Sequence, residues 1–235
     1  MQRIHHSTLS LGNQAYQELK GIILERQIPP GGKLNEGDLA KALGISRTPI
    51  REAINRLEKE GLVKIIPQRG AYVVQFTEKD IYELFLIREN LEGLAAYLAA
   101  NKMSEKDLTK LESAVEGFSE PFSEKEIKRY AREDFKFHQA IVQFSEAQRL
   151  IGLISTLHDY IRIFRLTTVG VSGRMKTSLE EHRELLRAFR ARNPEEAELR
   201  MREHIRHVRD GVMENIEFFM KGEGKDLIQP KEEGK

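Results

Sequence analysis

The stretch from Leu34 to Leu62 reads LNEGDLAKALGISRTPIREAINRLEKEGL, and its pattern predicts two short amphipathic helices joined by a tight turn. The apolar edge of the first helix would consist of Leu39, Ala40 and Leu43. Gly44 follows at once, and its conformational freedom allows the helix to end and the chain to reverse. The stretch therefore predicts a helix-turn-helix.

The second predicted helix begins at a polar segment, where Ser46 or Thr48 can accept hydrogen bonds from its first free N–H groups. Pro49 falls in the first turn, where a residue without an N–H is tolerated. Apolar residues then recur at spacings of three and four, at Ile50, Ala53, Ile54 and Leu57. The opposite side of the helix becomes a polar face made of Arg47, Thr48, Arg51 and Asn55.

That polar face suits DNA, because an α-helix fits the major groove and residues near its N-terminus reach base edges. Arg47 and Arg51 are the predicted base readers. A second interpretation stays open from the pattern alone. Helix-turn-helix geometry also occurs in purely structural helical proteins, in which two arginines four residues apart form only a solvated face.

Two β-rich runs at residues 62–66 and 71–74 predict a hairpin around Pro67–Gly70, whose tip is basic. Upstream, residues 12–27 place their apolar side chains on one helical stripe that ends at a Pro-Pro-Gly-Gly run. Three helices and a β-hairpin wing together make a winged helix-turn-helix, which we expect to span residues 11–76.

The segments LGISRTPIREAINRLEKEGLV and QRGAYV resemble the winged-helix reader of the GntR family of bacterial transcription regulators, over residues 10–76. The resemblance implies that the following residues lie at the DNA: Ser46, Arg47, Thr48, Arg51 and Asn55 on the second helix, with Arg69 and Gly70 on the wing. One departure concerns the preceding helix. Some fatty-acid-responsive members carry a further DNA-contacting arginine early in that helix, where this chain has Gly37.

Composition indicates two domains of unequal charge, since 235 residues exceed the usual size of about 100–200 for one domain. Residues 1–76 hold eleven Lys and Arg against seven Asp and Glu, a net of +4, and the remainder holds 27 against 30, a net of −3. The positive field thus belongs to the predicted DNA reader. The absence of Cys agrees with a reducing cytoplasm, and we expect a cytoplasmic protein without membrane association.

After residue 76 every segment is typical of helix, with breaks at residues 101–104, 117–123, 145–146, 169–173 and 193–194. Thr77 is the expected N-cap of the first of these helices, with Asp80 three residues later. The predicted fold is therefore mainly α, with an all-α six-helix bundle over residues 77–220. Residues 1–10 and the Gly-, Lys- and Glu-rich residues 221–235 are expected to be disordered.

Polar residues interrupt the apolar stripes of three helices in this second domain. Asp134 and His138 lie four residues apart on one inward stripe, a spacing that lets both side chains bind one metal ion. His182 and His204 face inward from two later helices. A single such histidine is more often a hydrogen-bonded core residue, but four buried polar groups are costly unless they share partners, and a divalent cation satisfies all four.

Three other charged or titratable residues of this domain bear on the predicted site. His158 and His207 fall off the apolar centres and are interpreted as surface or edge residues rather than ligands. Arg88 lies within the stripe of the first helix, where it would either extend to the surface or await an anionic ligand.

The runs DIYELFLIRENLEGLAAYLAA, EDFKFHQAI, EEHRELLRAF and MREHIRHV resemble the helical FCD-type ligand-binding domain found in the fatty-acid-regulator branch of the GntR family. In many such domains an Asp and three His bind a divalent metal whose coordination a small carboxylate completes. The matching positions here are Asp134, His138, His182 and His204. Some members, including the acyl-CoA responder, lack these ligands, so the match argues against a fatty acyl ligand, and six helices rather than seven resemble the vanillate-regulator subgroup.

The expected function is a metabolite-responsive transcriptional regulator, in the repressor role, that binds a palindromic operator as a homodimer. Its helical domain would bind one divalent transition metal ion, with Zn or Ni favoured over Co, Mn or Fe, and a small carboxylate effector near Arg88. The alternative is a metal-dependent hydrolase or isomerase fused to a DNA-binding domain, since such ligands can activate water. No motif supplies a general acid or base, so we expect no enzyme. A third possibility is a purely structural metal.

Overall fold

The computed structural model describes residues 10–118, 120–170 and 173–217, with side chains over the same ranges except 159 and 161–170. The predicted disordered ends lie outside the described residues, apart from Ser10, which is the N-cap of the first helix. The chain divides into Met1–Phe76, called here the reader unit, and Thr77–Lys235, called the helical unit.

The described part of the reader unit contains three helices and three short strands. In chain order these are α1 (Leu11–Leu24), β1 (Lys33–Leu34), α2 (Glu36–Leu43), α3 (Arg47–Lys59), β2 (Val63–Ile66) and β3 (Gly70–Val73). The apolar stripe of α3 is fully buried, and α1 and α2 pack against it. The helix-turn-helix and its wing are therefore present as predicted.

Local sequence explains where α2 and α3 begin and end. Asn35 caps α2 by accepting a hydrogen bond from the Gly37 N–H at 2.9 Å. Gly44 ends α2 in the left-handed conformation with φ of 70°, which only glycine adopts at little cost. Ser46 is the N-cap of α3, but its side chain makes no capping hydrogen bond. The start of α3 thus follows the prediction, whereas the capping bond proposed for Ser46 does not form.

The three strands form an antiparallel sheet in the order β1-β3-β2. In the wing hairpin Val63 lies opposite Val73 and Ile66 lies opposite Gly70, whose φ of 105° permits the tight reversal. Strand β1 was not predicted from the sequence. It has only two residues, and it is defined by its pairing with β3, in which Lys33 lies opposite Tyr72.

Six helices make up the described part of the helical unit: α4 (Glu78–Ala99), α5 (Glu105–Glu116), α6 (Glu124–Phe144), α7 (Gln148–Gly170), α8 (Arg174–Arg190) and α9 (Pro194–Glu214). Three of them begin with a reciprocal capping box, formed by Thr77 with Asp80, Ser104 with Asp107 and Ser123 with Glu126. Each box satisfies N–H groups that a helix start leaves free, so the helix boundaries are set locally. The predicted six-helix architecture is confirmed.

Helix α4 is the centre of this unit, since it packs against α6, α7 and α9. Ala95 of α4 joins Val142, Leu150 and Ile154 in a buried apolar cluster. This packing places the inner faces of α6, α8 and α9 around one polar centre. Among the described residues, no helix combines the length and the apolar character that crossing a membrane requires.

Candidate functional site

Helices α6, α8 and α9 bring the four predicted metal ligands together. Each of Asp134, His138, His182 and His204 offers a ligand atom, and these atoms all lie within 4.8 Å of one another. The three histidines are buried, and Asp134 is 9% exposed. These residues are separated by up to 70 positions in the chain. They converge on one point because each lies on the apolar face of its helix, and these faces all point to the interior of the bundle.

Two of the four donor atoms at this point, both of them histidine nitrogens, lack the partners that a protein core normally supplies. The Nε2 atoms of His138 and His182 each lie 3.7 Å from Oδ1 of Asp134, which is too long for a hydrogen bond. Within the described residues both Nε2 atoms are buried without a hydrogen-bond partner. Leaving such atoms unpaired is costly, and one carboxylate with three imidazoles is a donor set that divalent transition metals bind. The residues present therefore fit a metal ion.

Two carboxylates that the sequence analysis missed contact the Nδ1 atoms of two of the histidine rings. Glu92 Oε2 lies 2.6 Å from Nδ1 of His138, and Glu181 Oε2 lies 2.7 Å from Nδ1 of His204. When Nδ1–H donates to a carboxylate, Nε2 is the nitrogen left with a free lone pair. In this tautomer Nε2 of each ring is the atom whose lone pair is available to a metal ion.

Each of these carboxylates is in turn paired with an arginine. Arg88 Nε donates to Glu92 Oε1 at 2.6 Å, and Arg174 donates to both oxygens of Glu181, at 3.1 Å and 2.5 Å. Burial opposes ionisation of Glu92, but Arg88 and His138 outweigh it and hold its pKa well below the usual range. Burial likewise opposes ionisation of Glu181, and His204 and Arg174 lower its pKa. Both glutamates are therefore anionic at neutral pH.

The pairing of Arg88 corrects one sequence interpretation. Arg88 does not extend to the surface, because its side chain is 4% exposed and its Nε is engaged by Glu92. The signal for Glu92 was present in the sequence. It follows Arg88 by four residues, so a buried Arg88 places Glu92 on the same inward face. Glu181 gave no comparable signal, since its partners come from another helix and from the start of α8.

The histidines of the site differ in their tendency to take a proton. Burial lowers the pKa of His182 well below the usual value, and the neighbouring His204 adds to the effect. Burial lowers the pKa of His204 to about 4, although its hydrogen bond to Glu181 acts in the opposite direction. Burial also acts against the charged form of His138, but Glu92 and Asp134 outweigh it and raise the pKa. Burial thus favours the neutral, metal-binding form of His182 and His204, and only at His138 do the surrounding carboxylates favour the charged form.

The two histidines excluded as ligands are placed differently. His207 is exposed, as predicted, and its Nδ1 lies 2.7 Å from Glu181 Oε1. His158 is buried, so its interpretation as a surface or edge residue is wrong. Its Nε2 lies 3.4 Å from Glu92 Oε1, and its ring meets Phe135 edge-on at 5.4 Å between centroids. His158 therefore belongs to the buried polar network beside the four predicted ligands.

In the reader unit, all seven residues predicted to contact DNA are exposed: Ser46, Arg47, Thr48, Arg51, Asn55, Arg69 and Gly70. Five of them lie at the N-cap or on the outer face of α3, opposite its buried stripe. Arg51 is positioned by an ion pair in which its Nε lies 2.7 Å from Glu36 Oε2. Gly70 begins β3 beside Lys33, and the Tyr72 hydroxyl donates to the Arg69 carbonyl at 3.1 Å. The reader unit thus presents arginines on one helix and on the wing.

The reader unit is a winged helix-turn-helix with exposed arginines on α3, and it is joined to a separate helical unit. This combination is typical of DNA-binding transcription regulators. Comparison with known families agrees. Residues 11–73 match the model for bacterial regulatory proteins of the gntR family, and residues 83–207 match the FCD domain model. The chain belongs to the GntR family of transcriptional regulators and carries an FCD domain.

Individual relatives extend over most of the chain. It is 35% identical over 195 residues to the HTH-type transcriptional regulator YdhC of Bacillus subtilis (strain 168), covering 83% of this chain and 87% of that protein. It is 26% identical over 216 residues to the HTH-type transcriptional repressor RspR of Escherichia coli (strain K12), covering 90% and 95%. The solved structure of E. coli McbR/YncC shares the fold, with a TM-score of 0.69 and 23% identity over 91% of this chain and 99% of that one. These families and relatives are DNA-binding regulators and not enzymes, so the hydrolase or isomerase alternative has no support.

Proposed function

We propose that this GntR-family regulator is a cytoplasmic repressor whose helical unit binds one divalent transition metal ion per chain and a small carboxylate effector that alters operator affinity. The observation that carries the proposal is the convergence of four ligand atoms within 4.8 Å, two of them buried and unpaired among the described residues, in a chain that also carries a DNA reader. Repression is the role printed in the name of the relative RspR, and we extend it to this chain as part of the proposal.

The DNA-binding part of the proposal assigns base and phosphate contacts to α3 and the wing. Arg47 and Arg51 would read bases in the major groove, with Ser46, Thr48 and Asn55 beside them, and Arg69 and Gly70 would approach the minor groove. One winged helix reads only a short half-site, and a linked second reader raises affinity without new contacts. We therefore propose a homodimer on a palindromic operator, to be checked by sedimentation of the full chain at micromolar concentration with and without DNA.

The metal-binding part assigns the ligand set to Asp134, His138, His182 and His204. Zn and Ni are the ions that we favour for a donor set dominated by imidazole nitrogen, and the same set also accommodates Co, Mn or Fe. Glu92 and Glu181 would fix the tautomers of two of these histidines, as carboxylates behind metal ligands commonly do. With Asp134 ionised and the histidines neutral, a divalent ion leaves the four-ligand site with a net positive charge.

That charge supports an anionic effector. The ion would supply a positive anchor for one carboxylate oxygen, and Arg88 would bind a second oxygen through its terminal nitrogens while its Nε stays with Glu92. Arg88 lies on α4, which is the element that follows the wing directly in the chain. We propose that effector binding changes the position of α4 and so alters operator affinity, with a coupling of about 1–3 kcal/mol.

The test uses an operator selected from a random double-stranded DNA library by the full-length protein. Operator affinity is then measured with metal-stripped protein, with Ni²⁺ or Zn²⁺ added, and with a panel of di- and tricarboxylates. We expect at least one carboxylate to change operator affinity only when metal is present. The variant His182→Ala should lose this response, and the matched variant His207→Ala should keep it because His207 lies outside the ligand set.

Calorimetry on the same proteins separates the alternatives. Equal carboxylate affinity in wild type, His182→Ala and metal-stripped protein would show that the metal takes no part in effector binding. If metal raises stability but no carboxylate changes operator affinity in any state, the metal is structural and the effector proposal fails.

A further inference from the structure

The first turn of α2 lies directly beside the two arginines that are proposed to read DNA. Glu36 Oε2 accepts a hydrogen bond from Arg51 Nε at 2.7 Å, across 15 positions in the chain. Gly37, the next residue, faces Arg47. A Cβ atom built on Gly37 would lie 3.3 Å from Arg47 Nη2, 3.4 Å from Oδ1 of the helix cap Asn35 and 3.7 Å from Arg47 Cζ. Two adjacent residues of one helix therefore border both guanidinium groups of the next helix.

The contact of Glu36 restricts how Arg51 can present its donors. A guanidinium group has an Nε edge and two terminal nitrogens, and planar acceptors such as guanine O6 and N7 are bound bidentately by two of its N–H groups. With Nε engaged by Glu36, the terminal pair remains for an acceptor approaching from outside. Both side chains of the ion pair are solvent-accessible, so the pair contributes little to folding, and its consequence lies in orientation.

The backbone conformation at position 37 does not require glycine. Gly37 lies inside the first turn of α2 without a positive φ, and glycine in a helix is less favourable than alanine. What its missing side chain provides is space. At 3.3 Å, a methyl group would press on the Arg47 guanidinium and displace it by a few tenths of an ångström. Hydrogen bonds to base edges depend on donor positions at this scale.

We propose that Glu36 and Gly37 are specificity-determining residues of the DNA-reading surface. Glu36 is a positioning residue that aims the terminal nitrogens of Arg51 at a guanine edge, and Gly37 leaves the space in which the Arg47 guanidinium lies. The inference rests on the proposed base-reading role of Arg47 and Arg51, and it adds residues that contact these arginines rather than DNA.

The test separates sequence preference from overall affinity. A binding site is selected from a random double-stranded library by the full-length protein, and the specificity ratio is the dissociation constant for a scrambled sequence divided by that for the selected site, at one salt concentration. Glu36→Ala should lower this ratio roughly tenfold, because Arg51 loses its fixed orientation. Glu36→Gln keeps an oxygen acceptor for Nε and should restore most of the ratio.

The matched control is Asp38→Ala. Asp38 is exposed in the same turn of α2, so its removal takes away the same charge from the same helix end. Both alanine variants should bind scrambled DNA slightly more tightly, since a negative charge near phosphate is lost, but only Glu36→Ala should lower the ratio. Equal ratios in Glu36→Ala and Asp38→Ala would overturn the role of Glu36.

Gly37→Ala provides an independent measurement. It should leave the melting temperature of the reader unit unchanged or higher, because alanine favours helix, and should still lower the specificity ratio roughly threefold. A variant with wild-type ratio would overturn the role of Gly37. Arg47→Ala and Arg51→Ala test the base-reading role on which the inference rests. If neither variant lowers the specificity ratio, the base-reading assignment is wrong and so is the inference. If these two variants lower the ratio but the Glu36 and Gly37 variants do not, only the inference is refuted.

Discussion

Each of the two units contains an arginine–glutamate ion pair, and the N–O distances of the two pairs are nearly equal although one pair is buried and the other is solvent-accessible. In the helical unit Arg88 Nε lies 2.6 Å from Glu92, and the side chains are 4% and 1% exposed. In the reader unit Arg51 Nε lies 2.7 Å from Glu36, and the side chains are 63% and 34% exposed. Geometry alone does not distinguish the pairs, so their different consequences come from their access to water.

The contribution of each ion pair to the free energy of unfolding depends on its access to water. An exposed ion pair gains little, because water already stabilises both charges and the long side chains lose freedom. In a buried pair each charge has lost its hydration, so each depends on its partner, and removing one leaves the other uncompensated. The buried pair therefore contributes to the stability of the helical unit, while the exposed pair mainly sets the orientation of Arg51.

The largest expected effect comes from removing the buried carboxylate. In Glu92→Ala, Arg88 keeps its charge without a partner and His138 loses the acceptor of its Nδ1–H, so the helical unit should lose about 3–5 kcal/mol of stability. The measurement is urea denaturation of the full chain, stripped of metal and followed by circular dichroism, with separate transitions fitted for the two units.

The control for this variant is Glu124→Ala, which removes an exposed partner of Lys128 from the same unit. Its transition should move by no more than about 0.5 kcal/mol. A loss in Glu92→Ala as small as that of Glu124→Ala would mean that burial does not make the Arg88 pair different from a surface pair.

The same contrast explains what the sequence could predict. The helix-turn-helix is encoded locally, in the apolar spacing of α3, in Gly44 and in Pro49, so its position followed from pattern alone. The four predicted metal ligands were visible as candidates because polar residues interrupt apolar stripes. Strand β1 was missed since a two-residue strand exists only through its partner, here β3.

Long-range pairing accounts for the remaining misses. Glu92 looks like an ordinary surface charge until α6 and α7 are packed around α4, because a charged side chain is buried only where a partner of opposite charge is present. His158 was misplaced for the same reason, as its environment is made by Glu92 and Phe135 from two other helices. The spacing of four between Arg88 and Glu92 was the usable clue.

The second prediction concerns metal and distinguishes the units directly. If an ion binds the folded helical unit alone, saturation at 100 times its dissociation constant should stabilise that unit by about 2.7 kcal/mol. The reader unit offers no such set among its described residues, so its transition should not move. Denaturation with Zn²⁺ and with excess chelator measures the increment. His182→Ala should abolish it and His207→Ala should retain it; an increment that survives in His182→Ala would place the ion elsewhere.

The third prediction concerns the exposed arginines. Arg51→Ala should weaken binding to the selected operator by about 1–3 kcal/mol if the side chain makes a bidentate base contact, and Arg47→Ala should behave alike. The matched variant Lys59→Ala removes an exposed positive charge from the last turn of α3 and should cost less. Fluorescence anisotropy at fixed salt measures all three, and the helical-unit transition should stay unchanged in each. An Arg51→Ala protein that binds as tightly as wild type would contradict the recognition-helix assignment.

The smallest expected effect is that of Glu36→Ala on folding. Arg51 is left in water when its partner is removed, so the cost should not exceed about 0.5 kcal/mol in the reader-unit transition, against several kcal/mol for Glu92→Ala in the helical unit. Thermal and urea denaturation of the full chain give both values under one set of conditions. A loss above about 1 kcal/mol would mean that Glu36 supports the fold of the reader unit, since surface changes seldom cost that much. If the loss is within the expected bound, a change in DNA preference larger than that of Asp38→Ala must come from the orientation of Arg51, since neither a weakened reader unit nor the lost charge accounts for it.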